Sequence, residues 1–335
     1  MNNYNRLKKI FTELLPIKRT LIGKEVSNNN NIIKKFCNTD SIKIKSLTKF
    51  NGWKIPLEWV LNDFSLIEEK SKKVLLDNTN DFFNVFVYSA PVKTTLDYNQ
   101  LTKKISYIKN LPNAIPYITT YYKQDWGICM KYNQYKKLNK KIKYKININS
   151  TFKKSYLEIV YKSFKSNKNA RNFLFTTYNC HPNLANDNTS GIAVWALLVK
   201  YINENKLIKN NNFHFYMHPE TIGAIFNIKD KIKLLKNIDG GYVLTCLGGN
   251  DKLSLKPSHL SNSLIDKVNN FLIKKEKLKI KKYRFEPNGS DERQYSSQSI
   301  NAPMTSFFFK KYYEYKEYHN SLDNIKNINF KNLYK

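Results

Sequence analysis

The amino-acid sequence predicts an α/β fold: a mixed, mainly parallel β-sheet with helices on both faces, plus a small, mostly β inserted domain. From Leu157 to the end of the chain, short apolar and β-branched runs alternate with helical patterns, which is typical of strand–helix–strand units. Residues 80–150 differ, because short β-like runs alternate there with turn and proline signals. We therefore expect residues 1–60 and 151–335 to form the main domain, and residues 61–150 the inserted one.

Composition excludes little by itself. The chain has 335 residues and a formal net charge of +31, which would suit nucleic acid or an anionic membrane. However, the lysines are spread along the whole chain beside an excess of Asn, Ile, Tyr and Phe, all of which have AT-rich codons. Solvated faces explain the charge better, and the best candidates for a basic patch are the local runs 136–145 and 274–282. Nucleic acid is not an expected partner.

Three features bear on where the chain works. It has no run of 18 apolar residues, so no membrane span and no membrane partner are expected. Residues 1–9 are polar and lack the apolar core of a secretory signal. The four cysteines have no paired spacing and are typical of reduced thiols: Cys37, Cys129, Cys180 and Cys246. The sequence therefore predicts a cytoplasmic protein and leaves its oligomeric state open.

The early elements are predicted from spacing. Residues 4–15 show apolar side chains at helical intervals, and this pattern ends before Pro16. Residues 26–39 are rich in Asn and polar, which predicts a loop. Inside the inserted domain, β-like runs are expected at 82–88, 117–120, 127–130 and 142–148.

The central stretch of the sequence joins a predicted strand at 173–177 to a buried helix at 192–202. Asn188, Thr189 and Ser190 are the candidates for the N-cap of that helix. His181 and Asp187 lie in the loop between them, at the carboxyl end of the strand, where ligands bind in open α/β sheets. Neutral imidazole and carboxylate are what a zinc-type ion requires. The alternative, in which Asp187 caps the helix and His181 is a polar loop residue, is equally open at this point.

Other predicted strands also end in polar residues. The strand at 213–217 leads to Glu220, the strand at 242–247 leads to two glycines, and the strand at 304–309 leads towards His319. Asp291 lies in a charged, glycine-marked segment just before the last of these. Because the carboxyl ends of parallel strands meet at one edge, we expect these groups to share a cleft suited to metal-dependent hydrolysis.

Four segments, in order, carry a resemblance to a known family: His-Pro-x-x-Ala-Asn-Asp-Asn-x-Ser-Gly, Pro-Glu-Thr-Ile-Gly, Gly-Ser-Asp-Glu-Arg-Gln-Tyr and Tyr-His-x-Ser-Leu-Asp. The chain resembles the zinc aminopeptidase superfamily of the aminopeptidase Y and bacterial leucyl aminopeptidase type. It is most similar to an uncharacterised bacterial branch of aminopeptidase-like proteins with an inserted small domain, some of them encoded among polysaccharide-biosynthesis genes. Members of that branch often continue into a winged-helix domain, which we expect to be absent because only residues 324–335 follow the last motif.

The resemblance implies a role for each matching residue. His181 and His319 match metal-ligand histidines, and Asp187 matches the Asp that bridges two zinc ions. Glu220 matches the general base, and Asp291 matches an Asp near the substrate site, where it would orient a ligand or bind a free α-amino group.

Two departures from the family pattern affect the metal count. Thr221 and Thr245 stand where carboxylates would ligate metal, so each zinc site of a two-metal centre has lost one ligand. The remaining set of two His and one Asp, with one open position, has the stoichiometry of a single catalytic zinc. One zinc ion is therefore expected rather than two.

The sequence leaves two classes of function open. The first is a zinc-dependent amide hydrolase that acts on a small peptide-like or aminoacyl substrate, including an aminoacylated or N-acylated sugar. The second is a metal-binding pseudoenzyme or carrier, although the retained Glu220 favours the enzyme. A Cys180–His181 catalytic pair is not expected, because neighbouring residues of an extended chain point to opposite faces.

Overall fold

The computed structural model describes residues 1–167, 169–208, 210–286 and 289–335. The chain divides into two compact units. The first comprises Met1–Ile55, Ser155–Lys316 and Asn324–Lys335, and the second comprises Pro56–Lys154 and Glu317–Asp323. No helix in the described part of the chain combines the length and apolar character needed to span a bilayer.

The strands, in chain order, are β1 (Asp40–Lys45), β2 (Lys49–Phe50), β3 (Trp53–Lys54), β4 (Glu58–Glu68), β5 (Val74–Asp77), β6 (Val92–Leu96), β7 (Ile105–Ser106), β8 (Ile128–Cys129), β9 (Tyr144–Lys153), β10 (Tyr156–Phe164), β11 (Arg171–Tyr178), β12 (Asn211–His218), β13 (Gly240–Val243), β14 (Ser254–Lys256), β15 (Lys281–Lys282) and β16 (Met304–Phe308).

The α-helices are α1 (Asn3–Leu14), α2 (Lys24–Cys37), α3 (Tyr98–Thr102), α4 (Tyr132–Tyr135), α5 (Gly191–Asn205), α6 (Ile222–Leu235), α7 (Leu264–Lys275), α8 (Glu292–Tyr295) and α9 (Phe330–Tyr334). Short 3₁₀ segments lie at Phe82–Asn84 and Ile325–Asn327, and a π-helical segment at Ala185–Ser190 leads into α5.

The first unit contains an eight-stranded sheet with the strand order β1-β10-β12-β11-β13-β16-β14-β15. The four central strands, β12, β11, β13 and β16, are parallel to one another, whereas β1, β10 and β14 add antiparallel pairings (β1 with β10, β10 with β12, and β14 with β16). The predicted mixed, mainly parallel character of the sheet is therefore confirmed at its centre.

Helices cover both faces of this sheet. On one face, Phe215 stacks on Phe175 and contacts Trp195 of α5, within a buried apolar cluster that α1 and α2 also enter. On the other face, Tyr216 stacks on Tyr161, and Lys231 of α6 lies over the Tyr161 ring. Successive residues of a strand point to opposite faces, so α5 and α6 lie on opposite sides.

The second unit is mostly β, built on the antiparallel sheet β5-β4-β9-β6 and the short parallel pair β7-β8. Its segment Glu317–Asp323, which sequence analysis assigned to the main domain, is tied to residues 115–117. The amide of Tyr117 donates to the carbonyl of His319 (2.8 Å), and the amide of Ile115 donates to Ser321 Oγ (3.0 Å).

Two local predictions were wrong. Residues 26–39 are not a loop, because most of them belong to α2, whose buried side chains recur at helical spacing: Val26, Asn29, Asn30, Ile33 and Cys37. The loop prediction failed because asparagine is typical of loops, whereas two of these asparagines are core residues that hydrogen bond to buried charged groups. The strand expected at 82–88 begins instead as a 3₁₀ turn, and only Val85 and Val87 make isolated β-bridges.

Candidate functional site

The candidate site of the first unit lies where the central parallel strands end. Tyr178 at the end of β11 is in register with His218 at the end of β12, and Thr245 follows β13. His181 and Glu220 come directly after these strand ends, and the amide of Asn179 donates to the carbonyl of His218 (3.1 Å). The parallel sheet thus brings the polar residues that follow β11 and β12 to one edge.

His181 and Asp187 form the centre of this site. Both are buried, and His181 Nδ1 lies 3.3 Å from Asp187 Oδ1. Two ligand atoms that are each about 2.0–2.1 Å from a tetrahedral zinc ion lie about 3.3–3.4 Å apart. Burial by itself lowers the pKa of His181, but the neighbouring Asp187 carboxylate outweighs it and raises that pKa above its ordinary value. The pair therefore has the donor chemistry and spacing of two zinc ligands.

The structure does not favour the alternative in which Asp187 only caps a helix. Ser190 occupies the N-cap position of α5, and the Asp187 backbone is non-helical, with φ −113° and ψ 86°. The Asp187 carboxylate instead accepts a hydrogen bond from the Tyr178 hydroxyl.

Tyr178 also links Asp187 to one of the two departures from the family pattern. Its hydroxyl oxygen lies 2.7 Å from Thr245 Oγ1, and all three side chains are buried. At the position where the family would place a second carboxylate, this chain has the hydroxyl of Thr245, which is joined to the Asp187 carboxylate through the Tyr178 hydroxyl. These neutral groups replace negative charge, which argues against a second cation at this place.

A buried arginine that sequence analysis missed holds the loop carrying both residues. Arg19 is fully buried, and its guanidinium donates to the carbonyls of His181 (2.9 Å) and Leu14 (2.8 Å) and to Thr189 Oγ1 (2.7 Å). A planar fork of donors can join these three acceptors, which come from distant parts of the sequence, in one fixed arrangement. Burial lowers the pKa of Arg19 to about 10. The side chain therefore stays charged at neutral pH.

Glu220 lies beside the His181 imidazole. Its Oε2 is 3.8 Å from His181 Nε2, and its amide donates to Cys180 Sγ (3.3 Å). The exposed fraction of the Glu220 side chain is 25%. A group that exchanges protons with its surroundings requires such access. Its desolvated surroundings raise the pKa of Glu220 to about 7, so the carboxyl can take up and release a proton near neutral pH.

An unusual turn presents Glu220. Thr221 has φ 62° and ψ −71°, and the amide of Ile222 donates to the carbonyl of Glu220 (2.7 Å). These values correspond to the γ-turn with positive φ, which is rare and strained, with angles of about +75° and −65°. A β-branched residue in this conformation costs on the order of 1–3 kcal/mol, so the surrounding structure must hold it.

Asp291 contacts this turn. It is fully buried, and its Oδ1 accepts a hydrogen bond from the Thr221 amide (2.7 Å). Its Oδ2 lies 3.7 Å from Nδ1 of the buried His218. Burial and the nearby Glu220 charge raise the pKa of Asp291 well above its usual range. Burial lowers the pKa of His218 to about 4, so the imidazole is neutral.

Glu292, the residue after Asp291, forms a buried ion pair that the sequence analysis did not predict. Lys256 Nζ donates to Glu292 and to the Tyr312 hydroxyl (2.9 Å), and both charged side chains are about 1% exposed. Lys256 ends the short buried strand β14, and a charge buried there needs a partner.

His319, the third expected metal ligand, belongs to the second unit. There its ring stacks on Tyr318 at a centroid distance of 4.0 Å and meets the Tyr117 ring edge-on at 5.2 Å. Its backbone has a φ of 52°, which is uncommon for a non-glycine residue but more frequent for histidine than for most others.

Other reactive candidates have structural roles. Burial raises the pKa of Cys180 well above its usual range, so this cysteine is not a thiolate nucleophile. His214 is a buried histidine that hydrogen bonds to Ser163 and Asn172. His259 bonds to Asn301, and Arg293 lies 3.5 Å from Thr221 Oγ1.

Comparison with known proteins gives consistent matches. A family model described as a domain of unknown function, DUF4910, matches residues 8–335. A Clostridium acetobutylicum protein, provisionally named a polysaccharide biosynthesis protein with an aminopeptidase-like domain, is 32% identical over 316 residues, which make up 94% of this chain and 71% of that protein.

Solved structures agree. A C. acetobutylicum crystal structure provisionally described as a peptidase matches with a TM-score of 0.91 and 30% identity, over 99% of this chain and 77% of that one. BSAP, a zinc aminopeptidase from Bacillus subtilis, matches with a TM-score of 0.70 and 14% identity, over 99% and 90% of the two chains. The fold expected from the sequence motifs, that of the zinc aminopeptidases, is confirmed.

Proposed function

We propose, from the premise that the chain belongs to the DUF4910 family and has the fold of the zinc aminopeptidases, that it is a zinc-dependent amide hydrolase of aminopeptidase type. The observation that carries this proposal is the placement of His181, Asp187 and Glu220. Two donors lie at zinc-ligand spacing, and a partly exposed carboxyl with a pKa near 7 lies beside them.

The proposed metal ligands are His181, Asp187 and His319, because these residues match the ligand positions of the family motifs and would supply two imidazole nitrogens and one carboxylate. We propose one zinc ion, because Thr221 and Thr245 stand where the two sites of a two-metal centre would each need a carboxylate, and neither can supply a charged ligand. Zinc, when bound, polarises the scissile carbonyl and lowers the pKa of a water molecule.

Glu220 is the proposed general base. In its ionised form it takes a proton from the attacking water, and in its protonated form it returns that proton to the leaving amine. Its raised pKa suits both steps. Arg19, through its bond to the His181 carbonyl, keeps the imidazole in place while the proton moves.

The proposed substrate is a small aminoacyl or acylamino compound. The name of the C. acetobutylicum relative, which refers to polysaccharide biosynthesis, supports an aminoacylated or N-acylated sugar. Four buried free cysteines support the proposed cytoplasmic location.

The test combines zinc content with hydrolysis of chromogenic aminoacyl amides by wild type and Glu220→Gln. We expect one equivalent of zinc in both proteins, and a rate about 10²–10⁴-fold lower in the variant. Glu276→Gln, which changes an exposed glutamate after α7, is the matched control and should leave the rate unchanged.

Each other outcome has a defined meaning. Two tightly bound equivalents of zinc would contradict the single-ion site, and no zinc at all would contradict the metal assignment. One zinc without hydrolysis of any aminoacyl amide or acylamino sugar would favour a metal-binding carrier over an enzyme.

A further inference from the structure

Asp291 is placed to act on the backbone rather than on a substrate. Its side chain is fully buried, and its Oδ1 is occupied by the Thr221 amide at 2.7 Å. A group with no exposed surface cannot bind the α-amino group of a substrate without a rearrangement of the site. Asp291 is therefore not placed to bind the substrate's α-amino group, one of the roles that the family resemblance implies.

The second oxygen of Asp291 also faces the protein interior. Oδ2 lies 3.7 Å from Nδ1 of His218. Oδ2 is buried and has no hydrogen-bond partner among the described residues. His218 itself is engaged by the Pro219 carbonyl (3.1 Å) and by the Tyr295 hydroxyl (2.7 Å). The contacts of Asp291 thus converge on the stretch from His218 to Thr221, which presents Glu220.

The strained turn at Thr221 needs a contact that restrains its backbone amide. Thr221 has a positive φ of 62°, a conformation that glycine adopts easily and a β-branched residue does not. The backbone on either side would relax to an ordinary conformation unless another group held it. A buried acceptor at 2.7 Å from this amide provides that restraint.

We propose that Asp291 is a positioning residue that holds the γ-turn at Thr221 and thereby sets the place of the Glu220 carboxyl. The inference rests on the proposed function of Glu220 as general base. It assigns Asp291 to orientation of the base, not to recognition of the substrate.

The first experiment is a double-mutant cycle of thermal unfolding, which needs no activity. Thr221→Gly removes the cost of the positive φ, so it should recover at least half of the loss in Tm that Asp291→Ala causes. In the wild-type background the same substitution should raise Tm by less. Equal shifts in both backgrounds would mean that the two positions are not coupled, and would overturn the proposal.

The second experiment separates positioning from substrate binding. Asp291→Ala should lower kcat at least tenfold with KM within twofold of wild type, because the base is misplaced while the substrate site is intact. Asp291→Asn keeps an oxygen acceptor for the Thr221 amide and should lose much less kcat. Thr221→Gly should restore part of the kcat of Asp291→Ala. A tenfold rise in KM in Asp291→Asn would instead show that the substrate needs the negative charge.

A matched control distinguishes this role from general destabilisation. Asp266, in the first turn of α7, is also buried and accepts hydrogen bonds from the amides of Ser258 (2.9 Å) and Ser263 (3.0 Å). Asp266→Ala should lower Tm without changing kcat. If wild type hydrolyses no substrate, the proposed function fails, and the unfolding cycle alone decides whether Asp291 holds the turn.

Discussion

Replacing Arg19 by methionine tests whether one buried guanidinium organises the candidate metal ligands. Its three shortest hydrogen bonds go to Leu14, His181 and Thr189, at 2.7–2.9 Å. A hydrogen bond from a charged donor contributes about 1.5–3 kcal/mol, so the three together contribute about 4.5–9 kcal/mol to folding.

Burial of the charge offsets part of this stabilisation. Desolvation lowers the pKa of Arg19 from its ordinary value to about 10, and at 1.36 kcal/mol per pKa unit this opposes the charged form by about 3.4 kcal/mol. Methionine removes both the bonds and the desolvation cost. The expected net loss is therefore about 1–6 kcal/mol, with a central value of about 3 kcal/mol.

Urea unfolding of the zinc-free protein measures this loss, and competition with a chromogenic chelator measures zinc affinity. We expect Arg19→Met to unfold at a lower urea concentration and to bind zinc about 10–100-fold more weakly, because groups behind metal ligands set their orientation. Arg6→Met is the control, since Arg6 makes a partly exposed ion pair with Glu204 that contributes about 0–1 kcal/mol. An Arg19→Met protein with the unfolding midpoint and zinc affinity of wild type would refute the reasoning.

Two other perturbations test the fold and the metal count. Burial lowers the pKa of His214 from 6.5 to about 4, so the folded state keeps it neutral, and its contribution to stability is lost as the pH falls from about 6.5 to 4, by up to about 3.4 kcal/mol. His214→Gln should flatten the pH dependence of the urea midpoint in this range, and an unchanged slope would contradict the assignment. The double substitution Thr221→Glu with Thr245→Asp should raise zinc from one to two equivalents, while each single variant keeps one. A double variant that still binds one would mean that the lost carboxylates are not what limits the count.

The sequence was sufficient to predict the edge of the sheet at which the site lies. His181 and Glu220 follow buried strands directly, and the carboxyl ends of parallel strands must meet, so their proximity follows from strand order. Strand order does not predict the contacts of Arg19. Its partners are main-chain carbonyls and a hydroxyl far along the chain, and no periodic pattern records which carbonyl a side chain will meet.

The γ-turn at Thr221 was beyond prediction for a different reason. Local propensity disfavours a positive φ for threonine, so the conformation exists only because tertiary contacts such as that of Asp291 impose it. The buried asparagines of α2 were misread on similar grounds. Asparagine is a residue typical of loops, but Asn29 and Asn30 hydrogen bond to the buried side chains of Arg19 and Glu158.

Charge balance favours a working single-ion site over a decayed two-ion one. A second zinc ion would add two positive charges, and carboxylates at positions 221 and 245 would add two negative ones. Replacing both by threonine while losing one ion leaves the net charge of the site unchanged, and the Tyr178 hydroxyl, which lies 2.7 Å from Thr245 Oγ1, donates a hydrogen bond to the Asp187 carboxylate. Loss of the carboxylates alone, with two ions kept, would leave two uncompensated positive charges in a buried pocket, which is energetically costly. The two threonines are therefore consistent with the proposed single-ion centre, in which Glu220 is the proposed general base.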